Sequence, residues 1–411
     1  MKSFKFSLLA ASLLASSSAF AASVAIKNAT IFTASEKGTL ENASIVFEDG
    51  VITAVNPATL SADTIIDAKG KFVTPGFISA MNQIGLVEVG AVSTSRDASP
   101  KKADITFDPS YGFNPESSLI PFARKAGITR SVVTPFSWGE TFHGQAFSVL
   151  MNSEFNSIVD TKTAVVVTFG AASKDSRASS ILTLIDKLKG QQAKLEKASD
   201  DAEKSDKKPS EEEKLLTALL NGEVPLVAGA SRASDILHLI NIKKDFGVDV
   251  IISGGKDAAK VKTQLAEAKV PVMISVLDNL PGNFDSLGAG LTTAGELEKA
   301  GVEVMFINTD SHMIHNLRFD AGNAVSYGMS VDGAVAALTS NVAKAFNMDS
   351  GVLAKGKPAD VVLWSGDPLE LSSYAQSVWI NGEKVSTEAR HDKLRDRYTS
   401  KDAKRRGYIK P

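Results

Sequence analysis

Residues 224–310 carry four apolar runs at nearly even spacing: VPLVAGA (224–230), VDVIISGG (248–255), VPVMISVL (270–277) and VEVMFINTD (302–310). Each run is short and apolar on both of its alternating faces. Amphipathic stretches of helical spacing lie between them, such as DAAKVKTQLAEAK (257–269) and TAGELEKAG (293–301). Strands without a polar face, separated by helices, are strands of a parallel sheet covered on both sides. The same rhythm extends upstream through FVTPGFISAM (72–81), ITRSVVTPF (128–136) and TAVVVTFG (163–170). About eight such strands in fewer than roughly 300 residues predict a closed (β/α)8 TIM-like barrel in preference to an open sheet.

Two segments interrupt the rhythm. SWGETFHGQAFSVLMNSEFNSIVD (137–160) reads as a hairpin or lid over one end of the barrel. The segment near 190–214 is a charge-dense, largely helical insert with a linker at its centre, around 205–209. Outside the barrel the pattern is β. ASIVFEDGVITAVN (43–56) carries an Asp49-Gly50 hairpin signal, and TIIDAKGKFVTPG (64–76) repeats the device at Lys69-Gly70. After residue 350 the chain turns back to β in GVLAKGKPADVVLW (351–364) and SVWINGEKV (377–385). The expected organisation is therefore residues 22–73 and 351–411 as two parts of a small composite β-sandwich, the latter ending in a basic tail, flanking a barrel over 74–350.

Residues 1–21 read as an export signal. Lys2 and Lys5 precede an apolar run at 8–14 that is too short to span a bilayer, and Ala19-Phe20-Ala21 offers small residues at a cleavage site. The expected location is periplasmic or secreted. The 411 residues hold no cysteine, which excludes thiolate metal sites and cysteine nucleophiles. A net charge of −2 gives no basic field for nucleic acid, and no later segment suits stable membrane insertion.

Three stretches carry a resemblance to a known family. IDAKGKFVTPGFIS (66–79), TSNVAKAFNMDSGVLAKGKPADVVLWSGDPL (339–369) and VWINGEKV (378–385) resemble the amidohydrolase superfamily, closest to its imidazolonepropionase-like branch. The resemblance implies a metal-dependent (β/α)8 barrel joined to a β-sandwich made from both chain ends. It also implies hydrolysis of cyclic or peptide-like C–N bonds by metal-activated water. Its ligands would be an HxH pair after barrel strand 1, one histidine each after strands 5 and 6, and an aspartate after strand 8. Those positions fall here on Met81 and Gln83, on Gly229 with Ser231 at a frequent second histidine position, on Gly254, and on Asp310. Of this set the aspartate alone has its expected side chain, as the candidate proton shuttle. An amide is a poor zinc ligand, a thioether is too soft for it, and glycine offers no side chain. The expected cofactor is therefore none.

Other candidates for ligand contact are Gln83, His143, Arg177, Ser231 and His312. His143 lies in the 137–160 excursion, where it would hang over the barrel mouth or be structural. Arg177 either holds an anionic ligand or pairs with a neighbouring carboxylate. His312 and His315 follow Asp310 at helical spacing, as salvage ligands or as loop histidines. Ser231, Ser275 and Ser311 lie near strand ends, but no Gly-x-Ser-x-Gly elbow surrounds them. His238 and His391 receive no role. Two functions follow: a hydrolase with a divergent site, or a silent relative that binds a small-molecule ligand or acts as a homo- or hetero-oligomer with a related chain that keeps its metal.

Overall fold

The structure, a computed structural model, describes residues 23–170, 176–200 and 208–400. The proposed signal at 1–21 and most of the insert's linker lie outside these residues. The strands form two eight-stranded sheets. The first takes β1 (Val24–Phe32), β2 (Thr39–Glu48), β3 (Val51–Val55), β4 (Thr64–Asp67) and β5 (Phe72–Pro75) from one end of the chain, and β14 (Val361–Trp364), β15 (Ala375–Ile380) and β16 (Glu383–Val385) from the other. Its order is β16-β15-β14-β5-β1-β2-β3, with β4 also beside β1. The sheet curls back on itself, since the Ile52 N–H donates to Lys357 O at 2.8 Å. Its apolar face encloses Ile26, Ile45, Phe47 and Trp379.

Asp49-Gly50 makes the expected hairpin turn, with φ of +48° and +81°. Lys69-Gly70 does not. Residues 24–27 of β1 pair in parallel with 64–67, and 30–31 pair in parallel with 72–73. β4 and β5 therefore run one after the other along the same edge, and the glycine turn absorbs two extra residues. A local turn signal fixes a bend in the backbone but not the partner of the strand that follows it.

The second sheet is the barrel: β6 (Phe77–Asn82), β7 (Ile128–Val133), β8 (Phe142–Leu150), β9 (Ile158–Thr168), β10 (Leu226–Ala230), β11 (Val250–Gly254), β12 (Val272–Ile274) and β13 (Val304–Phe306), hydrogen-bonded in that order. Here the expected lid is corrected. Most of the 137–160 excursion is part of the barrel wall, because β8 pairs antiparallel with both β7 and β9. The remaining neighbours are parallel.

Around the barrel lie α1 (Leu119–Arg124), α2 (Arg177–Asp200), α3 (Glu211–Leu220), α4 (Ala233–Phe246), α5 (Lys262–Glu267), α6 (Thr293–Lys299), α7 (Leu317–Ser326), α8 (Val331–Ala337) and α9 (Ser340–Ala345), with α10 (Arg390–Thr399) in the basic tail. The insert is a helical hairpin of α2 and α3. Ser210 starts α3 with a capping box to Glu213.

The barrel interior is solid. Ile78, Val132, Val166, Val227, Ile251, Met273 and Met305 pack together, and Val342 and Phe346 at and just beyond α9 join the same cluster. β13 and β6 are not paired in the sheet order, so the ladder has a seam. Individual bonds close it. At the floor, the Ile78 N–H donates to Leu338 O at 2.8 Å, and Asn341 Nδ2 donates to Val304 O at 2.9 Å. At the mouth, the Gln83 N–H donates to Ser311 Oγ at 3.0 Å.

Candidate functional site

In a parallel barrel the strands end together at one face, and the loops that follow them build the site. Above the packed layer of Val166, Val227, Ile251 and Met273, the next inward positions are Thr168, Gly229, Ser253 and Ser275. Thr168, Gly229 and Ser253 are in register across β9, β10 and β11. A cleft of about 380 Å³ opens over them, lined also by Phe169, Ser231, Lys256, Asp278, Asn283 and Asp285. Ser275 lines a small adjoining pocket with Lys256 and Asp278. A larger cleft, about 660 Å³, lies at the opposite end of the barrel, where Lys243–Asp249 and Lys344–Glu303 pair with one another.

The charges at the mouth are committed to each other. Lys256 Nζ lies 2.6 Å from Asp278 Oδ2. Asp285 is gripped by Arg177 through one oxygen and by Arg232 Nε through the other, the latter at 2.7 Å. Arg177 Nε also donates to Asp235 at 3.0 Å. Arg177 thus has the carboxylate neighbours that one of its two readings expects. Asp278 and Asp285 lie in the loop after β12, so these pairs tie that loop onto the barrel.

The candidates do not converge. Ser231 lines the cleft and Arg177 stands behind it, whereas Gln83, Asp310 and His312 sit by the β13–β6 seam. Asp310 is exposed: its Oδ1 accepts the His312 N–H at 2.9 Å, and its own N–H donates to Asn308 Oδ1 at 3.1 Å. His312 is exposed as well. The ring of His315 turns away to pack at a tilt against Phe122, centroids 4.5 Å apart, with His391 of α10 also against Phe122 at 4.7 Å. Ser311, weighed as a nucleophile, instead accepts the seam hydrogen bond.

His143 does not hang over the mouth. It is 1% exposed on β8, its Nδ1 accepts the Ser137 N–H at 2.8 Å, and its ring packs on Phe136. Burial holds its imidazole neutral, with the pKa pushed down to about 4. The excursion that would have carried His143 outward is a strand, and so it is enclosed.

The cleft's Thr168, Ser253, Lys256, Asp278, Asn283 and Asp285 were not anticipated. The signal for the first two was present, since each stands two residues beyond an inward apolar residue of a strand. Asp278 and Asp285, which pair with Lys256 and Arg177, come from a loop that no periodicity marks.

The residues do not fit the metal that the resemblance implies. Met81 takes φ +58° in a bulge between Ala80 and Asn82, and its side chain packs on the barrel's inner cluster. A Cβ at Gly229 would lie 2.8 Å from Thr168 Oγ1, and Gly254 has φ +99° with Ser231 Oγ 3.3 Å from where its Cβ would be. Among the described residues, no group of three or more His, Cys, Asp or Glu could hold a metal ion.

The model of the amidohydrolase family matches residues 224–386. The crystal structure of an amidohydrolase from Thermotoga maritima superposes with a TM-score of 0.79 at 26% identity, covering 88% of this chain and 99% of that one. An Xaa-Pro dipeptidase with methionine bound in its active site shares the fold, with a TM-score of 0.53 at 15% identity over 88% and 99% of the two chains. Among curated sequences, the 5'-deoxyadenosine deaminase of Methanosarcina barkeri is 43% identical over 60 residues, and that of Methanosarcina acetivorans 47% over 57 residues. These matches span only 14% and 13% of the deaminases' own length and the same shares of this chain. With the barrel, the sheet built from both chain ends and these likenesses together, residues 224–386 match the amidohydrolase family and the chain shares the fold of its members.

Proposed function

We propose that this chain, a hydrolase by descent, recognises a small molecule at its barrel mouth without running metal-dependent hydrolysis of its own. One observation carries the proposal: a β-carbon at Gly229 would crowd the Thr168 hydroxyl and Gly254 holds a φ of +99°, so a ligating side chain at either position requires a neighbour to shift or the backbone to strain. A catalytic zinc needs about three protein ligands and an open position for water, and the mouth supplies no such set among the described residues. What it offers is hydroxyl groups beside internally paired charges. The test is elemental analysis of protein purified without chelator, with an assay on dipeptides, cyclic imides and 5'-deoxyadenosine. Less than a tenth of an equivalent of metal and no turnover are expected. One equivalent or more, with turnover, overturns the proposal.

A second reading, hydrolysis of C–N bonds, is favoured by the deaminase likeness and by the position of Asp310 directly after β13. Asp310 would then move protons at the reacting carbon. On that reading, Asp310→Asn lowers turnover by about a hundredfold or more, and undiminished turnover removes the assignment.

The residues at 1–21 support a mature protein outside the cytoplasm, periplasmic or secreted, and N-terminal sequencing of fractionated protein tests this. A maintained scaffold without its ligand set also suits a subunit paired with a second copy or with a relative that keeps its histidines. Size in native extract and after purification, with identification of any co-purifying chain, tests that role.

A further inference from the structure

We propose that the mouth cleft selects a neutral, hydroxyl-rich ring of monosaccharide size. The proposal rests on the binding role above and adds the chemical class of the ligand. Its basis is the row Thr168–Gly229–Ser253. These three residues are in register on adjacent parallel strands, so the two hydroxyl-bearing residues stand about 10 Å apart at Cα, two strand spacings, across a position with no side chain.

The row brings a hydroxyl to each side of Gly229 at the floor of the cleft, with Thr168 Oγ1 leaning over the glycine, and Ser231 and Ser275 extend the set at the rim. The side-chain hydroxyls of Thr168, Ser231, Ser253 and Ser275 have no hydrogen-bond partner among the described residues. None of them is a sealed, unsatisfied buried atom. Each can both donate and accept, which matches the groups on a sugar ring. Asn283, on the loop above, adds an amide.

Charge argues for neutrality. Lys256 is already held by Asp278, and both oxygens of Asp285 are held by Arg177 and Arg232. An anion would meet Asp278 beside the one lysine in the cleft, and a cation would meet the two arginines around Asp285. A neutral ligand meets neither repulsion, and it can use the second oxygen of Asp278 as an acceptor. The cleft, at about 380 Å³, is at the lower end of small-molecule sites and suits one ring.

Glucose, glucuronate and glucosamine are rings of similar size that differ in charge, and their binding is measured by calorimetry on the full mature chain. Glucose is expected to bind at least tenfold more tightly than the other two. Thr168→Val and Ser253→Ala, each removing one hydroxyl with little change of shape, are expected to weaken glucose binding about fivefold each. Unchanged melting temperatures show that these variants remain folded. A preference for glucuronate or glucosamine, no binding of any of the three, or glucose binding unchanged in both variants overturns the proposal. Those results leave the binding role standing, because that role falls only to stoichiometric metal with turnover.

Discussion

At Gly229 the side chain that is missing would also be a crowded one. Its neighbour Thr168 Oγ1 lies where a β-carbon would contact it at 2.8 Å. Gly229→His is therefore expected to destabilise the fold by about 1–3 kcal/mol through overpacking, measured by urea denaturation. Restoring histidines elsewhere does not repair the centre. Met81→His with Gln83→His is expected to bind no stoichiometric zinc by elemental analysis, since positions 229 and 254 still contribute nothing. The sequence made these four positions legible as residue types. It left unstated that Met81 sits in a left-handed bulge, which costs about 1 kcal/mol for a side chain of this kind.

Two buried titratable groups pull stability in opposite directions. His143, with its pKa lowered to about 4, is neutral in the fold while the unfolded chain takes up a proton below about 6.5. Its contribution is therefore lost as pH falls from about 6.5 to 4. Asp320 is 4% exposed, and burial first, then the nearby charge of Asp278, raises it to about 6. The fold then holds a proton that the unfolded chain releases above about 3.8, so its contribution is lost as pH rises from about 3.8 to 6. Each is worth about 3 kcal/mol at full extent, and in the wild type they largely cancel. His143→Gln is expected to make stability fall with rising pH over that window, and Asp320→Asn to make it rise. Denaturant melts at pH 4, 5 and 6.5 check both signs.

At the scale of elements, one buried ion pair joins the two sheets. Arg130 on β7 places Nε 2.5 Å from Asp360 Oδ2, just before β14, with side chains 7% and 5% exposed. Asp360 Oδ1 accepts the Asn381 N–H at 2.8 Å, and Arg130 Nη2 donates to Asn381 Oδ1 at 3.0 Å. Asp360→Ala strands a buried guanidinium and is expected to cost about 3–5 kcal/mol in denaturant melts. The seam gives a smaller effect: Ser311→Ala removes the acceptor of the Gln83 N–H and is expected to speed exchange of that amide about tenfold, read by hydrogen exchange.

Strand identity was legible where apolar runs are uniform, as in β10 to β13. It was not legible in β8, whose sequence FHGQAFSVL mixes polar and apolar residues although the strand is buried, its His143 and Gln145 finding partners in Ser137 and Thr106. β4 and β5 were misread for a related reason, since the turn between them looks like any hairpin turn.

At the scale of the molecule, the ends of the chain meet. β5 lies between β1 and β14, residues 72–75 between 24–32 and 361–364. Beyond β16, α10 is fastened to the barrel by Lys125–Asp392 at 2.6 Å and by His391 against Phe122. The composite sheet has a consequence for the order in which the protein is made. Its first five strands are complete when about a fifth of the chain has been synthesised, yet β5 lacks its β14 neighbour until nearly nine tenths has emerged. Through that interval the nascent chain carries an open strand edge beside Ile31 and Val73, residues that are fully buried in the finished protein, and open apolar edges are templates for aggregation. A chain stopped after residue 350 is expected to collect in the insoluble fraction while the full-length chain stays soluble, so quality control during synthesis has to protect the first segment until the last one arrives.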